Sequence, residues 1–149
     1  MKKLKLSDDK PWLAFYKEGV SANLKYSDSS MVGYFLEAVA RYPENIACEY
    51  YGGQITYRDF YERIRNTAKS LKTQGVEEGD RVTICMPNTP SAIIMFYAIN
   101  MVGAVAAMVH PLSAENEIER YLNESDSKLL FVLDLFIFIF CDISFWAFK

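Results

Sequence analysis

The chain contains a single histidine, His110, which leaves no basis for a histidine-built metal cluster or an imidazole pair. His110 follows the apolar run Val105 to Val109 and precedes Pro111. If that run is a strand of a parallel sheet, His110 stands at its C-terminal end, where α/β proteins place ligands. It is the best single candidate for chemistry, and the competing reading is a turn-shaping residue. Asn88 and Thr89 hold the same position after the run Arg81 to Met86, just ahead of a helix start. Anion binding suits that position, and so does simple capping. Asp80 precedes the strand without a carboxylate partner nearby in sequence and is expected to shape its turn. Ser91 lacks the G-x-S-x-G context of a nucleophile elbow. Cys85 lies inside an apolar run, the setting of an inert thiol. Neither G-x-G-x-x-G nor G-x-x-x-x-G-K-[ST] occurs. Gly52-Gly53 leads into a strand, not a helix N-terminus, and reads as a turn. These residues make up no catalytic constellation, and no catalytic, cofactor-binding or metal residue is assigned.

The elements that would position these residues centre on Gly75 to Val109. Gly75 and Gly79 bracket the acidic turn Glu77-Glu78. Arg81 to Met86 suits a buried strand. Thr89 is expected to cap a helix over Ser91 to Val102, with Pro90 at its first position and Gly103 stopping it. Val105 to Val109 completes a parallel βαβ unit. Upstream, Ser29 or Ser30 caps a helix to Tyr42, with Val32, Phe35, Leu36 and Val39 on its buried face. Gly33 weakens that helix by about 1 kcal/mol relative to Ala and marks a point of close packing. Ile46 to Tyr51 and Gln54 to Thr56 form a hairpin about Gly52-Gly53. Thr56 with Asp59 begins a helix to Gln74, its core stripe being Phe60, Ile64, Ala68 and Leu71. Downstream, Ser113 caps a helix over Ala114 to Asn123 with Ile118, Tyr121 and Leu122 as its apolar face. Glu124 to Ser127 is a polar turn, and Lys128 to Leu133 another buried strand. The expected fold is α/β: a partial parallel β-α-β-α-β sheet with packed helices and an N-terminal β-hairpin.

Length and charge narrow the options further. The 149 residues suffice for one domain. A net charge of −3 offers no electrostatic argument for nucleic acid. Cys48, Cys85 and Cys141 are far apart and odd in number, as in a reduced, cytoplasmic protein. Residues 1–29 read as an arm whose rings, Trp12, Phe15 and Tyr16, pack on the domain; 30–133 is the folded unit. Residues 134–149, DLFIFIFCDISFWAFK, do not fit it. As a membrane helix the segment is interrupted by Asp134 and Asp142, each unfavourable by roughly 3 kcal/mol near a bilayer centre. The abrupt change in composition fits a frameshift, an early stop or a misjudged gene end. A continuing strand and a membrane anchor are the alternatives.

The ordered series Ile55-Thr56-Tyr57, Gly75-Val76, Gly79-Asp80-Arg81-Val82, Met86-Pro87-Asn88, Met101-Val102-Gly103-Ala104-Val105 and Pro111-Leu112 resembles the N-terminal part of the adenylate-forming enzymes. These are the AMP-binding acyl-CoA synthetases and their relatives. The likeness runs from about Trp12 to Leu133. Pro11-Trp12, Tyr16 and Gly19-Val20 look like the start of the long-chain fatty acid–CoA ligases. The resemblance implies a parent ligase that uses ATP and Mg²⁺ to form an acyl-adenylate and passes the acyl group to coenzyme A. It also implies that the phosphate loop, the acyl pocket and the catalytic lysine of such a parent follow the region present here. A truncated, inactive fragment is therefore expected, which binds no cofactor alone. The alternatives are a module that complements a full-length synthetase chain, or a fragment held at a membrane by the aromatic tail.

Overall fold

The computed structural model describes residues 10–133. The expectations for the tail, 134–149, lie outside the described residues. A parallel sheet forms because three short apolar runs are separated by helices that bury one face each. Its strands are β3 (Arg81–Cys85), β4 (Val105–Met108) and β5 (Leu129–Val132), in the order β4-β3-β5. Val82 pairs with Ala106 on one side and Leu129 on the other; Ile84 likewise pairs with Met108 and Phe131. Residues opposite one another share a face. Val82 and Ile84 therefore look towards one layer, and Thr83 and Cys85 towards the other.

The first layer is the larger. It contains α1 (Met31–Arg41), α2 (Tyr57–Thr73) and α3 (Pro90–Val102). Phe60, Ile64, Ala68 and Leu71 of α2 are buried as the periodicity required, and they meet Ala98, Ile99, Val82 and Ile84. Phe35 of α1 sits among Tyr57, Phe60 and Tyr97, with the Tyr97 ring 4.9 Å away. Val32 and Val39 are half-buried, but Leu36 is exposed, so the buried face of α1 is narrower than its spacing suggests. On the opposite layer α4 (Glu115–Ser125) contributes Ile118 and Leu122, which close over Cys85. Among the described residues no helix is long and apolar enough to cross a membrane.

Helix starts follow the side-chain chemistry. Ser30, Thr56 and Thr89 each accept a hydrogen bond from the amide three residues on. For α4 the expected cap, Ser113, is displaced by one residue. Ala114 holds the cap position, and Glu117 reaches back to accept from its N–H at 3.3 Å. Alanine has no side-chain oxygen, so only one half of a capping box forms.

Two other expectations shift. The hairpin of β1 (Ile46–Tyr50) and β2 (Gly53–Thr56) pairs Tyr50 with Gly53. Its loop is thus Tyr51-Gly52, both at positive φ, 49° and 78°. A two-residue turn of this twist needs positive φ at both central positions. Tyr51 supplies one of them while its ring stands 94% exposed, and Gly53 joins the strand. The arm makes a 3₁₀ turn at Pro11–Phe15, but its rings do not pack down: Trp12 and Tyr16 are exposed, and Phe15 is 88% so.

Candidate functional site

The C-terminal strand ends collect the residues singled out by sequence. Met86 is buried after β3, and Pro87-Asn88-Thr89 leads into α3. Thr89 accepts from Ala92 N–H at 3.2 Å through its hydroxyl and from Ile93 N–H at 3.2 Å through its carbonyl. Pro90 has no N–H to offer. Thr89 thus ties up the Ala92 and Ile93 amides at the start of α3 and is a cap. Asn88 is exposed and Ser91 likewise.

His110, at the end of β4, closes a turn. Its Nδ1 accepts from Leu112 N–H at 3.2 Å, and its carbonyl accepts from Ser113 N–H at 3.1 Å. The Cys85 thiol donates towards the same carbonyl at 3.9 Å. Cys85 is 1% exposed, and burial pushes its thiol pKa up, which keeps it protonated and unreactive. His110 and Ser113 line an open cleft of about 500 Å³ with Met108, Tyr121, Glu124 and Ser125, whereas Asn88 and Thr89 do not.

The opposite, N-terminal strand ends hold a polar network that sequence reading missed. Asp80 accepts from Glu77 N–H at 2.7 Å, the turn-shaping role expected of it. Its Oδ2 also accepts from Lys128 Nζ at 2.8 Å, and Lys128 donates again to the Gly75 carbonyl at 2.5 Å. The Lys128 ammonium, with the Glu77 amide second, lowers the Asp80 pKa below its ordinary 3.8. Arg81 donates from Nε to the Ser125 carbonyl at 2.8 Å and from its other nitrogen to Asp126 at 2.6 Å. Beneath them the Thr83 and Ser127 hydroxyls share a hydrogen bond of 2.6 Å, with Ser125 joined to Ser127 at 2.8 Å. Thr83 is fully buried and Ser127 nearly so. The long-range partners are separated by 44 to 53 residues, so no local pattern announces them.

Among the described residues, these strand ends offer a nucleoside triphosphate few charged partners. The segments after the strands, Met86 to Thr89 and Val109 to Ser113, contain no Lys or Arg. The cations Arg81 and Lys128 lie at the far ends of β3 and β5 and are already paired with carboxylates. The first turn of α4 carries Glu115 and Glu117, which repel an anion. Among the described residues no three His, Cys, Asp or Glu side chains come together as metal ligands. The site is a scaffold edge with a cleft beside it.

Known proteins resemble the chain over most of its length. A long-chain-fatty-acid–CoA ligase of Bacillus subtilis is 28% identical over 130 residues, covering 87% of this chain and 23% of that protein. An acetyl-coenzyme A synthetase of Xylella fastidiosa is 38% identical over 81 residues, 54% of this chain and 12% of the relative. An artificially fused adenylation-PCP di-domain, NpsA-ThdA from Klebsiella oxytoca, superposes with a TM-score of 0.69 at 27% identity. That match covers 72% of this chain and 20% of the other. The chain thus spans less than a quarter of the length of each relative. The AMP-binding enzyme family matches residues 35–142, more than half of the sequence and nearly all of the folded unit. With that match, and with a fold shared with the N-terminal domain of adenylate-forming enzymes, the chain belongs to the AMP-binding enzyme family.

Proposed function

We propose that this chain is the N-terminal scaffold of an acyl-CoA ligase, and that its 149 residues alone do not catalyse the ligase reaction. The whole reaction would join a carboxylic acid to AMP at the expense of ATP, with Mg²⁺ as counterion, and then transfer the acyl group to coenzyme A. The observation that carries the reading is the strand-end chemistry. The Ala92 and Ile93 amides at the helix start are taken by Thr89, and no cation stands near it in sequence. Adenylyl transfer depends on amides and cations that hold developing charge on the phosphates. Those groups are expected from sequence beyond these residues. We divide the chain into an arm (1–29), the family unit (30–133) and a tail (134–149) into which the family match runs as far as residue 142, and place it in the cytoplasm with its thiols reduced.

The test is pyrophosphate release from purified chain with ATP, Mg²⁺, coenzyme A and carboxylic acids of graded length. No release above a heat-denatured control is expected; sustained turnover would overturn the reading. A second reading has its own observation. Phe15, Leu24 and Tyr26 of the arm stand 88%, 67% and 83% exposed, large side chains open to a partner. On that reading the chain complements a synthetase, and the two co-purify when co-expressed, with activity rising on mixing.

A further inference from the structure

We propose that His110 is a proton-controlled latch on the turn between β4 and α4: the neutral imidazole holds the turn closed, and protonation releases it. The turn runs from His110 to Ser113 and has two bonds of its own. The His110 carbonyl accepts from Ser113 N–H at 3.1 Å, and the ring Nδ1 accepts from Leu112 N–H at 3.2 Å. Nδ1 accepts only while it carries no proton, so the proton of the neutral ring sits on Nε2. The imidazolium has an N–H on both nitrogens. Nδ1–H and Leu112 N–H would then point donor at donor, and the ring must turn away. One of the two bonds is lost. Imidazoles take up their proton between about pH 5 and 8, and His110 is the only one in the chain. Its side chain is exposed, so a proton reaches it without unfolding.

The latch acts on the smaller layer of the fold. Behind Ser113, α4 starts at Ala114, which has no side-chain oxygen, so the turn does much to fix where the helix enters. The same His110 carbonyl accepts from the Cys85 thiol at 3.9 Å, which ties the turn to β3. Ile118 and Leu122 of α4 close over that Cys85. The charged and titratable groups around the ring are few. From β3 there is Cys85, which burial keeps protonated. From α4, Tyr121 and Glu124 line the cleft that His110 lines, and Arg120 stands 3.6 Å from the Glu124 carboxylate. Glu115 and Glu117 lie in the first turn of α4. β4 itself brings only apolar side chains, Met108 and Val109. A ring that leaves Leu112 as a cation thus has the Glu124 carboxylate in the same cleft. The sign follows from linkage. The neutral ring gains a bond in the closed turn and the imidazolium does not, so proton uptake favours the open turn. The closed turn is fully held at the alkaline end of the imidazole range and loosens as pH falls.

Amide NMR of the full chain across this pH range tests the latch. Protection of the Leu112 amide, corrected for intrinsic exchange, is expected to fall about two- to tenfold towards the acid end, the worth of one hydrogen bond. Its midpoint should coincide with that of the His110 ring Cε1–H resonance. The Glu117 and Ile118 amides, which donate to the Ala114 carbonyl at the start of α4, should lose protection with it. His110→Asn is the control that keeps the bond and removes the proton. An asparagine carbonyl accepts from the amide two residues on, as this Nδ1 does. In that variant Leu112 should stay equally protected at both ends of the range. Protection in the parent that stays flat while the ring resonance titrates would overturn the proposal. So would a fall of equal size in His110→Asn, which would assign the effect to another group.

Discussion

At the scale of single residues, Asp80 and Lys128 carry the clearest pH dependence. Asp80 accepts from an ammonium and from an amide, so its folded pKa lies below the ordinary 3.8. A depressed carboxylate pKa adds stability above the unfolded value and loses it as pH falls through the folded one. Asp80→Asn keeps an acceptor for the Glu77 amide and loses the charge. It should lower stability at neutral pH by about 1 kcal/mol, the worth of a part-exposed charged hydrogen bond. Urea midpoints of parent and variant should converge only below about pH 4, in the window set by the ordinary carboxylate value and the lower folded one. A gap that persists into stronger acid would mean that Asp80 acts through shape alone. The contrast with His110 is instructive. Position made it the leading chemical candidate, yet its ring nitrogen and its carbonyl both serve the turn to Ser113.

At the scale of elements, local chemistry set the helix starts and stops. Gly103 ends α3 at φ 87° and packs its backbone against the Glu77-Glu78 turn, accepting from Gly79 N–H at 3.0 Å. A Cβ there would lie 3.1 Å from Glu78 Cγ, whereas one at Gly75, φ 82°, meets nothing within 4 Å. Gly75→Ala should therefore cost the backbone penalty of a left-handed alanine, about 1–2 kcal/mol. Gly103→Ala should cost more in the same thermal or urea melts, because Glu78 must move as well. Equal losses would remove that contact from the account. The caps at Thr56 and Thr89, one of the two serines offered for α1, and the α2 stripe were legible because each rests on residues within a turn of one another, and the parallel unit because turn residues punctuate its apolar runs. Strand order, the Arg81–Asp126 and Asp80–Lys128 bridges and the Thr83–Ser127 contact were not. They join segments more than 40 residues apart, and only the closed sheet brings them together. The rings of the arm, expected to pack on the domain, stay exposed, and the aromatic cluster of the core is Phe35, Phe60 and Tyr97 without them.

At the scale of the whole molecule, the two faces of the sheet are unequal. One is covered by three helices and a long roster of buried side chains; the other rests chiefly on Ile118 and Leu122 over Cys85. Local opening free energy follows buried apolar contact, so the smaller layer should open first. Amide hydrogen exchange reads this directly. The inner strand, with Val82 and Ile84 fully buried and partners on both sides, should exchange only through global unfolding. The α4 amides should exchange faster by a sub-global route that leaves β3 protected. If α4 and β3 share one opening free energy, the layers unfold together and the asymmetry has no dynamic consequence. The same experiment separates edge from interior within β4. Val105 and Val109 amides are held by β3 and should be protected at any concentration. Ala106 and Met108 amides have no such partner within the described fold. They should exchange faster than the Val105 and Val109 amides, whose acceptors lie on β3. Protection of Ala106 and Met108 equal to that of Val109 would place another strand on that edge.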